Sequence, residues 1–449
     1  MGSLKQTGSR FGKQQTLNFE RTNFELNYIL MKTNYAKTKT FICVLTLGLL
    51  ILFVVNSVSA SKKYEFNKKI SREVLENYLD RSMTVQSMLI GRGADFEDQL
   101  KMIKNTGVKF IGRAVCQWAG ESTMLANFEK EKELIPRIHA VDPDIILQAC
   151  IFEIISQSVD EVPIPDWCFK EMGMPVEKRN FSYNKMLYPS GQFVKHWNER
   201  SSVPDISQPE TKLYFFYQAA TYINMGIEAI HFGQVELMNK NDKDLDHYAG
   251  LLAKIRKYAK KHARRGMIIC DAHVPGGGFL YKRNYLLMDF HSFPLRIKEV
   301  GDPEEAILEV GHSDALFLRS KGGKTYSGWT CESLPYLVEF DNFGVGNRPG
   351  QRATGSSIFA WGFDEITWYA RQPKEYRDKW LQYAYDFIKN TDKNGWLEMP
   401  GGRQITQPST GATTSRWYAC NNPSQATPGG YGDEDLIRDI WNAGRTASR

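Results

Sequence analysis

The chain has 449 residues, of which 42% are hydrophobic and 24% are charged, so it can bury a sizeable core and is neither disordered nor fibrous. A single long apolar window excludes a polytopic membrane protein. The formal net charge is +6, but the first 60 residues hold seven Lys or Arg against two Asp or Glu, which leaves +1 for the other 389 residues. A nearly neutral body does not attract polyanions over long distances, so we expect no nucleic-acid partner.

Residues 31–61 have the pattern of a secretory signal peptide. Three lysines precede the apolar residues 41–55, and small residues at 58–60 provide a cleavage site. The apolar stretch is shorter than a comfortable bilayer span, and an uncleaved anchor is the alternative. We therefore expect an exported protein, located in the periplasm, at the cell surface or outside the cell, whose membrane contact is limited to this segment. Residues 1–60 form the first region of the chain, a polar segment followed by the signal peptide.

Eight short apolar runs alternate with helix-length segments after the leader. The runs cover residues 85–90, 108–115, 145–151, 227–235, 267–270, 285–290, 336–340 and 358–363. The predicted helices cover residues 95–105, 124–139, 209–225, 245–264, 303–310 and 374–389. Such alternation predicts an α/β fold with a parallel sheet, and eight units over roughly 300 residues suit a (βα)8 TIM barrel. A doubly wound open sheet is the alternative, but no glycine-rich phosphate loop follows the first strand.

About fifty residues separate the third run from its helix, which predicts a long insertion in the third strand–helix loop. We assign residues 61–399 to the catalytic barrel. Residues 400–449, rich in Gly, Pro, Ser and Thr at first, are assigned to a C-terminal extension that packs on the barrel.

Six cysteines follow the leader. Cys116, Cys150 and Cys270 lie in apolar runs, where buried unpaired thiols are expected. Cys168, Cys331 and Cys420 lie in loop-like segments, where a bridge is conceivable but cannot be assigned from spacing.

Polar and aromatic side chains cluster at the carboxyl ends of the predicted strands, where a (βα)8 barrel has its active site. The candidates are Arg113, Gln117, Trp118, Glu153, His231, Gln234, Glu236, Asp271, His273, Asp289, His291, Glu339, Asp341, Trp361 and Asp364. Carboxylates beside imidazoles and indoles at one end of nearly every strand predict a substrate site. Indoles such as Trp118 and Trp361 can stack on the C–H faces of a pyranose ring.

Glu236 and Glu339 are the most informative pair, because strands four and seven face each other across a barrel mouth. Retaining glycoside hydrolysis needs two carboxyl groups about 5–5.5 Å apart. The chain resembles the large clan of (βα)8 glycoside hydrolases whose catalytic glutamates end strands four and seven. The resemblance implies that Glu236 is the acid/base and Glu339 the nucleophile. In that clan an Asn precedes the acid/base residue, whereas Val235 stands here.

Further carboxylates widen the choice. Asp341 points to the same side of an extended strand as Glu339 and can take its role. Asp364 or Glu365 can take part in an inverting arrangement with a wider carboxyl separation.

The sequence thus predicts a secreted glycoside hydrolase that cleaves O-glycosidic bonds of oligo- or polysaccharides with two carboxylates and without a cofactor. Arg113 would pair with a carboxylate or orient Glu339. The residues expected to hold sugar hydroxyls are His231, Gln234, Asp271, His273, Asp289 and His291. Three histidines from consecutive strands, His231, His273 and His291, leave a metal-dependent hydrolase open as an alternative, although no HExxH or His-x-His motif is present. A non-catalytic carbohydrate-binding protein of the envelope is the other alternative.

Overall fold

The computed structural model describes residues 63–300, 305–311, 316–342, 365–405 and 417–444. The described residues from Tyr64 onward belong to one compact unit. The predicted signal peptide, the predicted strand 358–363, Trp361 and Asp364 lie outside these ranges. Within the described ranges, each helix is too short or too polar to cross a lipid bilayer.

A large parallel sheet forms the centre of this unit. Its first seven strands, which pair in chain order, are β1 (Ser82–Val85), β2 (Phe110–Val115), β3 (Ile146–Cys150), β4 (Ala229–Gln234), β5 (Ile269–His273), β6 (His291–Pro294) and β7 (Tyr336–Glu339). Each neighbouring pair in this row is parallel. The chain is therefore a mixed α/β protein with a large curled parallel sheet, which agrees with the fold class predicted from the alternation of apolar runs and helices.

Two later strands extend the row at both of its edges. β8 (Gly395–Leu397) is parallel to β7, and β9 (Met399–Gln404) is parallel to β1. Only Glu398 separates these two strands along the chain. β10 (Trp417–Ala419) lies antiparallel to β9. The boundary predicted at residue 400 falls inside β9, so residues on both sides of that boundary belong to the main sheet.

Helices follow most of the strands. In the described ranges they are α1 (Arg72–Leu79), α2 (Phe96–Thr106), α3 (Glu121–Val141), α4 (Asp166–Met172), α5 (Pro209–Met225), α6 (Val235–Met238), α7 (Asp246–His262), α8 (Glu365–Arg371), α9 (Lys374–Thr391) and α10 (Glu434–Gly444). Local chemistry sets their ends. Asp95 accepts the backbone N–H groups of Glu97 and Asp98 at the start of α2. Gly226, with φ of 102°, closes α5.

The first strand lies earlier in the chain than predicted. The run 85–90 was expected to be extended, but β1 ends at Val85 and Met88–Ile90 forms a 3-10 turn. Ser87 has φ of 62°, which is incompatible with an extended strand. The prediction failed because a short apolar run fits a buried turn as well as a strand.

Two elements of the second half also differ from the prediction. Tyr285–Leu286, from the run 285–290, belongs to a separate small sheet, and the sixth strand of the main sheet begins only at His291. The predicted helix 303–310 contains the short strand Ala306–Ile307, which pairs antiparallel with Lys298–Glu299. Tertiary pairing overrides weak local helix preference here.

The strands present an apolar layer and then a polar layer on one face of the sheet. The apolar layer is a buried cluster that includes Phe110, Ile146, Ala229, Ile269, Phe290, Leu337 and Trp396. Side chains two positions apart along a strand point to the same face. The residue two positions after each of these is also buried. These residues are Gly112, Gln148, His231, Asp271, Ser292, Glu339 and Glu398. We call these seven residues the polar layer. The interior thus changes from apolar to polar toward the carboxyl ends of the strands.

The six cysteines that follow the leader are all free thiols. Cys116, Cys150 and Cys270 are buried, which confirms the prediction made for them. Cys168, Cys331 and Cys420, for which bridges were conceivable, are unpaired as well.

Candidate active site

Asp271 joins four neighbouring strands through hydrogen bonds within the polar layer. Its carboxylate accepts from Gln148 Nε2 at 2.7 Å and from Ser292 Oγ at 2.9 Å. It also lies 2.7 Å from His231 Nδ1, which must carry a proton because a carboxylate only accepts. His231 therefore has Nε2 as its available ring atom. Nε2 is buried and has no hydrogen-bond partner among the described residues, as expected of an atom that meets a ligand or a water.

Arg113 reaches the polar layer because β2 is bulged. Between its matched pairs with β3, β2 contains two more residues than β3 does. Arg113 has φ of 54°, a conformation that is costly for a residue other than glycine. Its backbone N–H donates to Gln148 Oε1 at 2.9 Å, which helps to hold the bulge. Bulges re-aim side chains, and this one turns the guanidinium toward Glu339.

Glu339 is held by three cationic or imidazole side chains. Arg113 donates from Nε to Oε2 at 2.6 Å and from Nη2 to Oε1, and Arg403 donates from Nη1 to Oε2 at 3.2 Å. His273 Nε2 lies 2.6 Å from Oε1. Burial alone would raise the pKa of Glu339, but the charges of Arg113 and Arg403 bring it well below the usual value. Glu339 is consequently an ionised, fixed carboxylate at neutral pH.

His273 connects Glu339 to His231. Its Nε2 is 2.6 Å from Glu339 Oε1 and 3.2 Å from Arg113 Nη2. Because the carboxylate can only accept, the shorter contact places a proton on Nε2. Burial lowers the pKa of His273, against the opposing effect of Glu339, so the imidazole is neutral at neutral pH. Its ring meets the ring of His231 edge to face, with centroids 4.7 Å apart.

Asp341 lies two residues beyond Glu339 and shares the Arg403 guanidinium. Arg403 Nη2 donates to Asp341 Oδ1 at 2.5 Å, and the N–H of Asn342 donates to the same oxygen at 2.8 Å. Burial would raise the pKa of Asp341, but the charge of Arg403 lowers it. Two ionised carboxylates therefore face two guanidiniums at the end of β7, which balances the buried charge.

The loop after β3 places Glu153 against the end of β4. Gln234 donates its backbone N–H to Glu153 Oε2 at 2.8 Å and its side-chain Nε2 to Oε1 at 3.0 Å. Burial raises the pKa of Glu153. Trp197, from the segment between β3 and α5, donates Nε1 to the Glu153 carbonyl at 2.9 Å. The long third connection is thereby tied to the carboxyl ends of β3 and β4.

An aromatic surface adjoins this group. Trp118, after β2, is 48% exposed, and its ring centroid lies 5.2 Å from that of Phe152 and 4.9 Å from that of Trp197. The Arg113 guanidinium lies over the Phe152 ring, 5.5 Å from its centroid. Gln117 donates to Thr123 Oγ1 at 3.1 Å. Trp118 is thus an exposed indole beside the buried charges, a suitable surface for a sugar ring.

Glu236 lies in α6, directly after β4. It is half-buried, and its Oε1 accepts the backbone N–H of Gly276 at 3.0 Å, from the loop after β5. The predicted acid/base residue is thereby anchored to the carboxyl-end loops while part of its side chain stays accessible to solvent.

Asp289 and His291 lie at the amino end of β6, although the sequence placed them at a carboxyl end. Asp289 Oδ2 accepts from the Cys270 backbone at 2.9 Å and from Arg256 Nη2 at 2.9 Å. His291 Nδ1 lies 2.9 Å from Ser320 Oγ. Within the described structure, neither residue is hydrogen bonded to Glu339. Trp361 and Asp364 lie outside the described residues.

Four residues of the site were not among the sequence candidates: Gln148, Ser292, Glu398 and Arg403. Gln148 could have been found, because it interrupts an apolar run two positions after Ile146 and so shares the inward face. Burial, together with the charge of Glu339, raises the pKa of Glu398 to about 8. Within the part of the chain that is described, no three His, Cys, Asp or Glu side chains are grouped closely enough to hold a metal ion.

No family model matches the chain, and no curated protein matches it. Solved structures similar to it include a debranching enzyme from Nostoc punctiforme, with 11% identity, a TM-score of 0.41, and coverage of 83% of this chain and 81% of the other. A glycoside hydrolase family 27 β-L-arabinopyranosidase from Geobacillus stearothermophilus in complex with arabinose has 12% identity, a TM-score of 0.31 and coverage of 76% and 67%. An α-galactosidase from Thermus thermophilus in complex with stachyose has 10% identity, a TM-score of 0.25 and coverage of 45% and 44%.

Glycoside hydrolases thus occur among the solved structures that this chain is similar to.

Proposed function

We propose that the chain is an exported (βα)8-barrel glycoside hydrolase that cleaves O-glycosidic bonds of oligo- or polysaccharides with two carboxylates. The observation that carries this proposal is the state of Glu339. It is a buried, ionised carboxylate at the carboxyl end of β7, fixed by Arg113, Arg403 and His273. A carboxylate that is negatively charged and rigidly positioned is suited to attack an anomeric carbon or to stabilise the positive charge that develops there.

Strand pairing supports closure of the sheet into a barrel. β8 pairs with β7 and β9 pairs with β1, and only Glu398 stands between β8 and β9. One nearly continuous segment therefore bridges the first and seventh strands of the row. Counted as one strand, it gives eight parallel strands, which is the number that a (βα)8 barrel requires. The predicted eighth strand, 358–363, is not needed for this count.

The reaction would use Glu339 and Glu236 in turn. Glu236, half-buried and anchored by Gly276, protonates the glycosidic oxygen while Glu339 attacks the anomeric carbon and the leaving group departs. Glu236 then removes a proton from water, which attacks the same carbon and releases Glu339. The neutral Nε2–H of His273 and the Arg113 guanidinium hold the Glu339 carboxylate in one orientation throughout.

Asp341 is the second candidate for the nucleophile. Both hydrogen bonds described above reach its Oδ1, whereas both oxygens of Glu339 are engaged. Asp341, which is bonded through one oxygen in these contacts, is therefore also suited to attack, with Glu339 as its charged neighbour.

Sugar recognition would fall to the remaining carboxyl-end residues. His231 offers an unpartnered Nε2 within the described structure, which can accept a hydrogen bond from a sugar hydroxyl. Trp118 offers an exposed indole face on which a pyranose ring can stack. Glu153 and Gln234 shape the wall between them, because their side chains are hydrogen bonded to each other.

The test is a mechanism-based trap. Wild-type protein is screened for release of reducing sugars from oligosaccharides, and the best substrate class is converted into a 2-fluoro glycoside that accumulates a covalent intermediate. Peptide mapping then identifies the labelled carboxylate. We expect the label on Glu339, or on Asp341 if the second candidate is right.

Four variants complete the experiment. Glu339→Gln and Glu236→Gln should each lose most turnover, and added azide should restore turnover to Glu236→Ala by replacing the deprotonated water. Glu133→Gln, at an exposed position of α3, is the control that should behave as wild type. Full turnover in both active-site variants would refute the two-carboxylate proposal. Inactivation by EDTA with recovery on Zn²⁺ or Mn²⁺ would favour the metal-dependent hydrolase, and binding without turnover the envelope protein.

A further inference from the structure

Two cysteines lie side by side at the carboxyl ends of β2 and β3. Val115 pairs with Ala149 in the parallel register, so Cys116 and Cys150, the next residue on each strand, are also neighbours. Adjacent strands are about 4.8 Å apart, which is within the Cα separation of about 4.4–6.8 Å that a disulfide allows. Both side chains belong to one small buried cluster, together with Phe152 and Ile154.

We propose that Cys116 and Cys150 form an oxidisable dithiol, a modification site that closes to a disulfide beside the candidate active site. Cys116 is the thiol that attacks the peroxide, and Cys150 is the thiol that resolves the product. The pair is chemically independent of sugar cleavage, although its effect on turnover rests on the proposed function.

The surroundings of Cys116 favour its thiolate. The neighbouring Cys150 thiol lowers the pKa of Cys116 most. The charges of Arg113 and Arg403 add to this against the effect of burial, and the pKa is about 6. Gln86 Nε2 also donates to Cys116 Sγ at 3.5 Å. The thiolate is the nucleophilic form of cysteine, so Cys116 is reactive at neutral pH.

The other cysteines of the described residues have the opposite character. Burial raises the pKa of Cys150, Cys168, Cys270, Cys331 and Cys420. An oxidant should therefore select Cys116. Cys150, as a neutral thiol that contacts it, is placed to take the second step.

Burial restricts the oxidants that can reach the pair. Cys116 and Cys150 are only 6% and 4% exposed, and Cys150 lines a cavity of about 20 Å³ together with Gln117 and Phe152. A cavity of this volume holds about one water, so it cannot admit a protein thiol or glutathione. We therefore take hydrogen peroxide, the smallest peroxide, as the oxidant.

Oxidation of the two thiols to a disulfide requires hydrogen peroxide alone. The Cys116 thiolate attacks one oxygen of the peroxide, and the O–O bond breaks. Hydroxide is released, and Cys116 becomes a sulfenic acid. The Cys150 thiol then attacks that sulfur, the S–O bond breaks, and water leaves with the thiol proton. The peroxide is reduced by two electrons, and the two thiols lose two hydrogen atoms.

Formation of the disulfide would alter the loops that face the substrate. Arg113, Gln117 and Trp118 flank Cys116, and Phe152 and Glu153 follow Cys150. A disulfide pulls the two sulfurs to about 2.05 Å and replaces the thiolate next to Arg113. We expect a change in KM rather than loss of the fold, because both cysteines sit at strand ends.

The experiment is intact-protein and peptide mass spectrometry of the full chain after hydrogen peroxide treatment at pH 7. The wild type should lose two hydrogen atoms and yield a Cys116–Cys150 cross-linked peptide, which dithiothreitol reverses. Cys150→Ser should stop at a Cys116 sulfenic acid that dimedone traps, and Cys116→Ser should not react. Cys331→Ser, in a separate short strand, is the matched control and should cross-link as wild type does.

The pH dependence gives a second readout. The rate of peroxide consumption should rise as pH increases through about 6, whereas an ordinary thiol would respond about two units higher. Absence of the cross-link in wild type, or dimedone labelling of another cysteine in preference to Cys116, would overturn the proposal. These readouts do not use turnover, so they stand or fall separately from the glycosidase proposal.

Discussion

The apolar layer and the polar layer are built by the same strands and differ by two residues along each of them. Phe110, Ile269 and Leu337 close the amino end with hydrocarbon, whereas Asp271 and Glu339 fill the next level with charge. Burial of hydrocarbon is favourable for each residue separately. Burial of charge is tolerable only when every partner is in place. A change in the apolar layer therefore costs the burial of that residue alone, whereas a change in the polar layer affects the whole network.

The largest effect is expected when the network loses one member. Arg113→Ala leaves Glu339 without its bidentate partner, and breaking a buried ion pair costs about 3–5 kcal/mol of unfolding free energy. The double variant Arg113→Ala/Glu339→Leu should regain much of this loss, because it removes both charges. Urea denaturation at pH 7 of the two single variants and the double variant measures the coupling. A double variant that is as unstable as the sum of its parents would show that the layer is not a network.

Leu337→Ala tests the apolar layer. Truncation of a buried leucine costs about 2–5 kcal/mol through lost burial and the cavity left behind. The polar layer should be unaffected, so kcat/KM below the unfolding range should stay within about twofold of wild type. Denaturation and steady-state kinetics on the same preparation check both. A large fall in kcat/KM with an intact fold would mean that the layers are coupled.

A smaller effect is expected on the pH dependence of stability, which should reflect the protonation of one carboxyl group of the polar layer. The pKa of Glu398 is about 8 in the folded chain, against about 4.3 in an unfolded chain. Between these values the folded chain keeps a proton that the unfolded chain has released, so the free energy of unfolding falls as pH rises from about 5 to 8. Glu398→Gln should flatten this slope.

Glu131→Gln is the matched control for that measurement. Burial raises the pKa of Glu131, on α3, to about 8 as well. Its replacement should flatten the stability slope without changing the pH profile of turnover, whereas Glu398→Gln should change both because the charge of Glu339 acts on Glu398. Melting temperatures between pH 5 and 8 provide the stability data. Identical turnover profiles in the two variants would remove Glu398 from the site.

The smallest effect is expected at Trp118, the exposed indole beside the polar layer. Trp118→Ala removes a half-exposed indole, so the unfolding free energy should change by less than about 1 kcal/mol. Loss of a stacking face worth about 0.5–1.5 kcal/mol should raise KM about 2- to 10-fold with little change in kcat. Trp118→Phe should recover part of the affinity. Unchanged KM on every cleaved substrate would place the sugar elsewhere.

Local pattern predicted the strands that carry most of the site. β2, β3, β4 and β7 fall within predicted runs, and Glu339, Asp271, His231 and His273 are indeed connected through the polar layer. Alternation along a strand is a local property, so one sequence suffices to read it.

Features that depend on distant pairing were not predictable in the same way. Arg113 was a candidate, but its inward direction depends on a bulge against β3. Arg403 and Glu398 were missed because the segment around them is rich in glycine and proline and becomes a strand only by pairing with β1 and β7. Asp289 and His291 were assigned to the wrong end of β6 because a run of apolar residues does not show where a strand begins.

The segment around Glu398 also governs when the fold can be completed. Met83 pairs with Met399, a separation of 316 residues. The second neighbour of β1, which is β9, is therefore synthesised only after nearly the whole chain. Contacts of such long range slow folding, since a large loop must be closed before they form. During synthesis on the ribosome, β1 is therefore exposed along one edge until β9 emerges, and a chain that ends before residue 395 lacks both Glu398 and Arg403. Assembly of the charged interior is accordingly among the last events in the maturation of this protein.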